Sequence, residues 1–257
     1  MILLLGGTHE GREIATLLNT LGFDYTLSVA TELGYDTYKD ISKNCIVRRF
    51  SEEALVTYLY DNKIQCVIDA THPHAAEVKR TAQGATKTCN VPYFRYARKV
   101  FNTSEEGLIH VENMSEAIAH IQSVSKEQDR ILITGSKHVQ EFLDAFDTRR
   151  CIFRIMPGIE SMNICIQHGV PIENIIAIKA PCSVRFNQTL FEDFDIQYFV
   201  FKNSGSGSAV VSNIQSLSGM KVSGIIVEPK SESSENIIET IEALEAELKR
   251  FQRNKEV

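Results

Sequence analysis

The first twelve residues, Met1 to Arg12, read MILLLGGTHEGR, and they decide the fold. The apolar run Ile2–Leu5 has the length of a buried strand, and the glycines directly after it allow a tight turn into a helix. Backbone N–H groups at such a helix start bind the negative charge of a pyrophosphate. The stretch therefore predicts a dinucleotide-binding βα unit. Because Thr8 stands where G-x-G-x-x-G has its second glycine, a tight turn without a ligand is the alternative.

The same alternation of strand-like and helix-like runs continues along the chain. Apolar and β-branched runs predict further strands at 25–29, 45–48, 64–68, 91–94, 108–111, 131–134, 152–155, 175–178, 198–201 and 221–227. Apolar residues at helical spacing predict helices at 12–18, 52–60, 115–123, 139–145, 161–168 and 209–217. Repeated βα units indicate an α/β protein with two Rossmann-like, doubly wound parallel sheets.

A polar stretch at residues 98–106 separates the two series of βα units, and we place a domain boundary there. Residues 1–99 are then a nicotinamide-dinucleotide-binding domain. Residues 100–257 are a second α/β domain that binds the substrate. The tail 233–253 has apolar residues on one face, with acidic residues first and basic residues last, which predicts an amphipathic C-terminal helix. We assign this helix to the second domain.

Composition excludes several classes of protein. The net charge of −6 lacks the basic surplus of a nucleic-acid surface, and no apolar run approaches the roughly 20 residues that span a bilayer. The opening run is too short for a signal peptide. None of the six cysteines forms a C-x-x-C pair, which argues against a zinc site or a disulfide framework. We expect a cytoplasmic monomer or homodimer that binds a small molecule, without nucleic-acid or membrane partners.

Candidate cofactor contacts follow the first, second and fourth predicted strands, at the edge of the sheet where doubly wound folds bind ligands. We expect a reduced nicotinamide cofactor, NADPH or NADH, with the nicotinamide near the end of the fourth strand. The cofactor-binding candidates are Gly6, Gly7, Thr8, Glu10, Gly11, Ala30, Thr31, Asp69, Ala70, Thr71 and His72.

The region after the second strand leaves the choice of cofactor open. Glu32 could accept hydrogen bonds from ribose hydroxyls, as in an NADH site, or it could be a solvated loop carboxylate. Alternatively, Ser28 and Thr31 could contact the 2′-phosphate of NADPH together with Arg48 or Arg49.

Two histidines, His72 and His74, lie in the loop after the fourth strand. Neither a carboxylate cluster nor a cysteine pair accompanies them, so we predict no metal site. If the reaction needs a proton donor, His72 has the most suitable unperturbed pKa, and water is an equal candidate.

Four cations follow strands of the second series, namely Lys137, Arg154, Lys179 and Lys202. At the carboxyl ends of parallel strands they could converge on one cleft facing the first domain, where they would suit a ligand with several carboxylates. The alternative is that each cation only caps its own loop.

Taken together, these residues resemble the precorrin-6A reductase family, including its cobalt-precorrin branch. The most specific matches are Asp69-Ala70-Thr71-His72-Pro73 and Lys202-Asn203-Ser204-Gly205. The weaker ones are Gly6-Gly7-Thr8 with Glu10, Ala30-Thr31 with Gly34, Arg95-Tyr96 with Arg98, Thr134-Gly135 with Lys137, and Arg154 with Pro157.

The resemblance implies two Rossmann-like domains, with the cofactor on the first and a tetrapyrrole-derived macrocycle in the cleft between them. It also implies hydride transfer from the nicotinamide to one double bond of that macrocycle, with or without cobalt. Substrate-binding residues are then Arg95, Arg98, Lys137, Arg154, Lys179, Lys202 and Ser204.

Four segments depart from the family pattern: His74 replaces an aromatic residue, Lys99 a proline, Lys179-Ala180-Pro181-Cys182 a Gln-Gly-Pro-Phe type segment, and Glu228-Pro229 an Arg-Pro pair. Two other functions compete with the reductase. A short-chain-type nucleotide-sugar reductase would need a Tyr/Lys pair near mid-chain, and the one Y-x-x-x-K match, Tyr35 with Lys39, lies just after the second strand. A sensor or carrier would bind both ligands without catalysis.

Overall fold

The computed structural model describes residues 1–97, 107–205, 209–229 and 237–253. It divides the chain into two compact units, residues 1–99 with 232–257 and residues 100–231. The boundary between the units falls within residues 98–106, which lie outside the described residues.

In the first unit strands and helices alternate from the start of the chain. The elements are β1 (Ile2–Leu5), α1 (His9–Thr20), β2 (Tyr25–Val29), α2 (Glu32–Tyr38), β3 (Cys45–Val47), α3 (Glu52–Asp61), β4 (Cys66–Asp69), α4 (Ala76–Cys89) and β5 (Tyr93–Tyr96).

The second unit repeats this alternation, with short 3-10 turns before two of its strands. Its elements are β6 (Leu108–Val111), α5 (Met114–Val124), β7 (Arg130–Thr134), α6 (Val139–Ala145), β8 (Cys151–Ile155), α7 (Ile159–Gln167), β9 (Ile175–Ala177), α8 (Val184–Asp193), β10 (Ile196–Lys202), α9 (Val210–Gln215) and β11 (Ser223–Val227).

The chain then returns to the first unit with β12 (Ile237–Ile238) and α10 (Ile241–Arg253). This corrects our assignment of the C-terminal helix to the second domain. The strand β12 pairs in parallel with β5, with Ile238 opposite Tyr96. Leu244 and Leu248 of α10 are fully buried in the same apolar cluster as Ile14 of α1. The apolar stripe of the helix therefore completes the core of the first unit.

Both sheets are parallel and have six strands, in the orders β12-β5-β4-β1-β2-β3 and β6-β11-β10-β7-β8-β9. Each has the strand order of a doubly wound dinucleotide fold, in which the order reverses beside the first strand. The reversal lies between β1 and β4 in the first sheet and between β7 and β10 in the second. In the first sheet the edge strand next to β5 is β12, from the end of the chain. In the second sheet the edge strand next to β11 is β6, which comes before β7 in the sequence.

Helices cover both faces of the first sheet, as the residues of β1 illustrate. Leu4 packs into the cluster that includes α1 and α10, whereas Leu3 and Leu5 pack into the opposite cluster with α3 and α4. Side chains alternate between the two faces of a strand, so a continuous apolar run is what a sheet buried on both faces requires. Each such leucine contributes about 2 kcal/mol by leaving water. In the described ranges, no helix has the length and apolar character to cross a membrane.

Candidate functional site

The turn between β1 and α1 lies at the first reversal point. Gly7 has a φ of +127°, a conformation that favours glycine, and a Cβ added there would meet no atom within 4 Å. Thr8 caps α1: its Oγ1 accepts from the Gly11 N–H at 3.5 Å and donates to the Ala70 carbonyl at 2.9 Å. The Thr8 hydroxyl thus ties the turn after β1 to the turn after β4. Glu10 lies in the first helical turn.

Tyr38, at the end of α2, contacts the turn between β1 and α1 through its hydroxyl. Its buried hydroxyl accepts from the Gly7 N–H at 3.0 Å and donates to the Thr8 carbonyl. A Cβ on Gly11 would come within 2.5 Å of that hydroxyl and one on Gly6 within 3.3 Å, so both positions favour glycine because of Tyr38. Burial raises the pKa of Tyr38, which keeps the hydroxyl protonated. Our sequence reasoning missed Tyr38, because the contact joins residues 31 positions apart.

The turn after β4 is held by a buried carboxylate. Asp69 is fully buried, and its Oδ1 accepts from the N–H and the hydroxyl of Thr71 at 2.8 and 2.7 Å. Arg95 is 1% exposed and donates from Nη1 to the Asp69 carbonyl at 2.9 Å and to its Oδ1 at 3.2 Å. The predicted contacts of Asp69 with the cofactor and of Arg95 with the substrate stay predictions, and in this structure the two side chains bond to the turn itself.

His72 lies in that turn and is half-buried. Its Nδ1 is 3.2 Å from the N–H of His74, so in the neutral ring Nδ1 accepts and Nε2 carries the proton. The two rings are 5.6 Å apart between centroids. Within the described residues no group of three or more His, Cys, Asp or Glu side chains is placed to hold a metal ion.

The end of β2 carries the candidates for the ribose side of a dinucleotide. Thr31 caps α2, with its Oγ1 accepting from the Gly34 N–H at 3.1 Å. Arg49 donates from Nε to the exposed Ala30 carbonyl at 3.3 Å, which puts its guanidinium beside the strand end. Ser28 is buried and donates to the Arg48 carbonyl at 3.4 Å, which removes it from a phosphate site. Glu32 is exposed in the first turn of α2.

In the second unit, the reversal point brings together two of the four predicted cations. Lys137 follows β7 and Lys202 ends β10, and these strands are neighbours. Burial lowers the pKa of Lys202, the like charge of Lys137 lowers it further, and Glu141 acts in the opposite sense. In the part of the chain that the structure describes, no residue forms a hydrogen bond or salt bridge with the Lys202 ammonium. Two adjacent cations without a bound carboxylate suit an anionic ligand.

Arg154 does not join these lysines. Its side chain is 6% exposed and donates from Nη1 to Asn187 Oδ1 at 2.6 Å and from Nη2 to Asn213 Oδ1 at 3.1 Å. The guanidinium also lies 5.2 Å from the centre of the Phe199 ring. Burial lowers the pKa of Arg154. The prediction that Arg154 contacts the substrate stays a prediction, and in this structure its cation joins β8 to α8 and α9 inside the unit.

The remaining substrate candidates have different surroundings. Lys179 is exposed after β9, three strand positions from β10, which is about 14 Å at normal strand spacing. Ser204 follows β10, and its hydroxyl donates to the Lys202 carbonyl at 3.4 Å. Arg98, and Lys99 beside it, lie outside the described residues. Tyr35 and Lys39 of the Y-x-x-x-K match lie on and just after α2, where Lys39 pairs with Asp36 at 2.8 Å.

A residue that departs from the family pattern has a role that the sequence did not indicate. Glu228, directly after β11, accepts from Asn203 Nδ2 at 2.9 Å and contacts His110 Nδ1 at 2.7 Å. The family resemblance indicates only that Glu228-Pro229 replaces an Arg-Pro pair. The structure instead makes it a link between the ends of β6, β10 and β11.

Comparison with protein families gives one match that covers nearly the whole chain. Residues 1–249 match the family described as precorrin-6x reductase CbiJ/CobK. Among solved structures, the chain resembles a CobK precorrin-6A reductase with a TM-score of 0.77 and 21% identity, over 97% of this chain and 96% of that one. At this identity the structural likeness concerns the fold.

Individual relatives are similar at low identity but over most of their length. A cobalt-precorrin-6A reductase of Priestia megaterium is 28% identical over 236 residues, which cover 90% of this chain and 92% of that protein. One of Salmonella typhimurium is 27% identical, covering 83% and 81%. A precorrin-6A reductase of Rhodobacter capsulatus is 26% identical, covering 95% and 93%.

Proposed function

The chain belongs to the precorrin-6x reductase family CbiJ/CobK, and from this premise we propose how its two reversal points divide the work of the reaction. The chain is a precorrin-6A reductase of cobalamin biosynthesis, an oxidoreductase that acts on a carbon–carbon double bond of the macrocycle. The first unit binds the reduced nicotinamide cofactor, and the second binds the carboxylates of the macrocycle. The observation that carries this division is the contrast between the open glycine at residue 7 and the two lysines at 137 and 202.

The turn after β1 fits a pyrophosphate. Gly7 is exposed, and the space that a Cβ would enter is open, so a ligand can approach the backbone closely. The first-turn N–H groups of the twelve-residue helix α1 have no partners within the helix, and its dipole favours negative charge. Thr8 caps the helix, and Gly6 and Gly11 leave room for Tyr38 beside the turn. Glu10, in the first turn of α1, is a further candidate contact of the cofactor. When bound, the nicotinamide supplies the hydride.

We propose NADPH as the preferred cofactor. Arg49 lies beside the end of β2, where the adenosine ribose of a dinucleotide is held. A guanidinium there can bind a 2′-phosphate through charge-assisted hydrogen bonds. Glu32 is the exposed carboxylate that would serve NADH instead, and it lies one position inside α2 rather than at the strand end. Ala30 and Thr31 directly follow β2 and are the backbone candidates for contact with the ribose.

His72 is the protein's candidate proton donor. Reduction of a carbon–carbon double bond needs one hydride and one proton. To act as the donor, His72 must first be protonated to the imidazolium, which gives one ring proton to the substrate and leaves the neutral imidazole; water then returns a proton to the ring. In the neutral ring that remains, Nδ1 accepts from the His74 N–H. Thr71 and Ala70 place this histidine at the end of β4. Water remains the competing donor.

Lys137 and Lys202 hold the macrocycle by its carboxylates. Each ammonium offers up to three donors, and a carboxylate placed between two cations relieves their repulsion. Ser204 and Lys179 extend the same edge of the second sheet. The carboxylates of the macrocycle do not react. The energy of binding them serves to orient the double bond toward the hydride.

The test is oxidation of NADPH by the purified protein in the presence of precorrin-6A or its cobalt form, followed by absorbance of the reduced nicotinamide. We expect oxidation that depends on the macrocycle and is faster with NADPH than with NADH. Comparing the two macrocycles at equal concentration identifies the preferred substrate. Binding of both ligands without turnover would support the sensor or carrier instead.

Two further expectations concern the state of the protein. We propose a cytoplasmic location, in keeping with six cysteines that are all free thiols. We also propose a monomer or homodimer, which sedimentation of the purified protein decides.

A further inference from the structure

We propose that Glu228 is a positioning residue that holds the turn after β10 in the form that binds the macrocycle. This inference rests on the proposed role of Lys202 and Ser204 in substrate binding. It concerns a residue that carries no role in the reaction described above.

Glu228 connects three neighbouring strands at one edge of the second sheet. Its Oε2 accepts from Asn203 Nδ2 at 2.9 Å, and its Oε1 lies 2.7 Å from His110 Nδ1. Its own N–H donates to the Val111 carbonyl at 2.8 Å, which fixes the backbone of Glu228 to β6. Both carboxylate oxygens of Glu228 and its backbone N–H are therefore engaged.

Asn203 is the residue through which Glu228 acts. It stands between Lys202 and Ser204, is fully buried, and donates from its backbone N–H to the Val227 carbonyl at 2.9 Å. Its Oδ1 accepts from the Gly205 N–H at 3.3 Å, so the side-chain amide closes the turn on itself. A buried amide that loses a partner carries a large desolvation cost, so the turn depends on the acceptor that Glu228 supplies.

The acceptor is a carboxylate, and that has two consequences. A charged acceptor strengthens the hydrogen bond from Asn203 beyond that of a neutral one. His110, which is exposed on its outer side, steadies the carboxylate rather than the turn itself. Loss of the His110 ring should therefore matter less than loss of the Glu228 carboxylate.

The experiment compares three variants in the full chain. For Glu228→Ala we expect the KM of the macrocycle to rise about tenfold, which is the loss of one buried hydrogen bond, with kcat nearly unchanged. Glu228→Gln keeps an acceptor for Asn203, so its KM should return to within about twofold of wild type. For His110→Ala we expect an intermediate KM. Affinity for NADPH should be the same in all three.

A second measurement needs neither ligand. Amide hydrogen exchange of a peptide that contains residues 202–205 should be faster in Glu228→Ala than in wild type, and restored in Glu228→Gln. Asp147→Ala is the matched control: it removes an exposed ion pair with Arg149, 2.8 Å long, that precedes β8 at the opposite edge of the sheet. It should change neither KM nor this exchange.

Some outcomes would overturn the proposal. An unchanged KM or unchanged exchange in Glu228→Ala would show that Glu228 does not hold the turn. So would a Glu228→Gln variant that remains as impaired as Glu228→Ala. If wild-type protein shows no macrocycle-dependent oxidation of NADPH, the proposed function fails, and the exchange measurement still reports separately whether Glu228 orders residues 202–205.

Discussion

The two reversal points have the same strand order and different chemistry. After β1 and β4 the turns carry an open glycine and a hydroxyl link from Thr8 to Ala70, and residues 6–8 and 70–75 include no lysine or arginine. Between β7 and β10 they carry Lys137 and Lys202, whose charges repel each other. Under the proposed function, the shared fold supplies only the place for a ligand. The residues of the turns then determine whether backbone N–H groups or side-chain cations would bind it.

The largest expected effect tests the first reversal point. Gly7→Val puts a branched side chain into the open space and requires it to adopt a positive φ. We expect NADPH affinity, measured by fluorescence titration, to fall roughly a hundredfold, the equivalent of two lost hydrogen bonds. Macrocycle affinity should stay near the wild-type value.

Gly22→Val is the matched control for Gly7→Val. Gly22 also has a positive φ, of +72°, and open space around it, but it follows α1 at the other edge of the sheet. Its thermal stability should fall as in Gly7→Val while NADPH affinity is kept. Equal NADPH affinity in wild type and Gly7→Val would mean that the dinucleotide lies elsewhere.

The next effect tests the second reversal point. Lys202→Ala removes a cation that no other described residue pairs with, and we expect the KM of the macrocycle to rise about thirtyfold, as for a lost charged hydrogen bond. The affinity for NADPH should not change. Lys126→Ala, in the turn before β7 at the opposite edge, is the control with the same loss of charge. A matching rise in the NADPH Kd of Lys202→Ala would contradict the division between the units.

A smaller effect sharpens the choice of cofactor within the first unit. Arg49→Ala should raise the KM of NADPH about tenfold and leave that of NADH unchanged, because only NADPH has the 2′-phosphate. Steady-state rates with both cofactors measure this. Glu32→Gln serves as the counterpart, since it should affect NADH alone. If Arg49→Ala raises the KM of NADPH and of NADH equally, the guanidinium does not bind the 2′-phosphate.

The smallest effect is a dependence on pH. The pKa of Lys202 lies below the usual value of about 10.4 because of burial and Lys137, and a bound carboxylate would raise it again. Binding then takes up a proton, so the KM of the macrocycle should rise by about threefold as pH increases through the lowered pKa. At lower pH it should be flat. Lys202→Arg stays charged and should lose this rise, which a series of KM measurements checks.

Much of the fold could be predicted because strands buried on both faces leave continuous apolar runs. Each of the predicted strands overlaps one of β1 to β11. The helices α2, α4 and α8 were not predicted. In α4 the buried residues include small ones such as Ala82 and Ala85, and the helix contains Gly84, which leaves little apolar periodicity. The strand β12 was missed because two residues carry no strand pattern, and its partner β5 lies far back in the chain.

The positions of candidate residues were predictable where sheet topology alone decides them. Lys137 and Lys202 end neighbouring strands, so the sequence order of βα units was sufficient to bring them together. It was not sufficient for Arg154, whose burial depends on Asn187 and Asn213 from two later helices. The Tyr38 hydroxyl and the Glu228 carboxylate act in the same way, through contacts between distant parts of the chain.

The order of β12 and α10 in the chain has a consequence for biosynthesis. During translation, residues 1–97 emerge before the second unit. The strand β12, which completes their sheet, and the helix α10, which covers part of their core, are made only after the whole second unit. Until then the edge of β5 and the apolar surface under Leu244 and Leu248 lack their cover. A ribosome stalled before residue 237 would therefore present a nascent chain with an open sheet edge, which is a substrate for chaperones and a risk for aggregation.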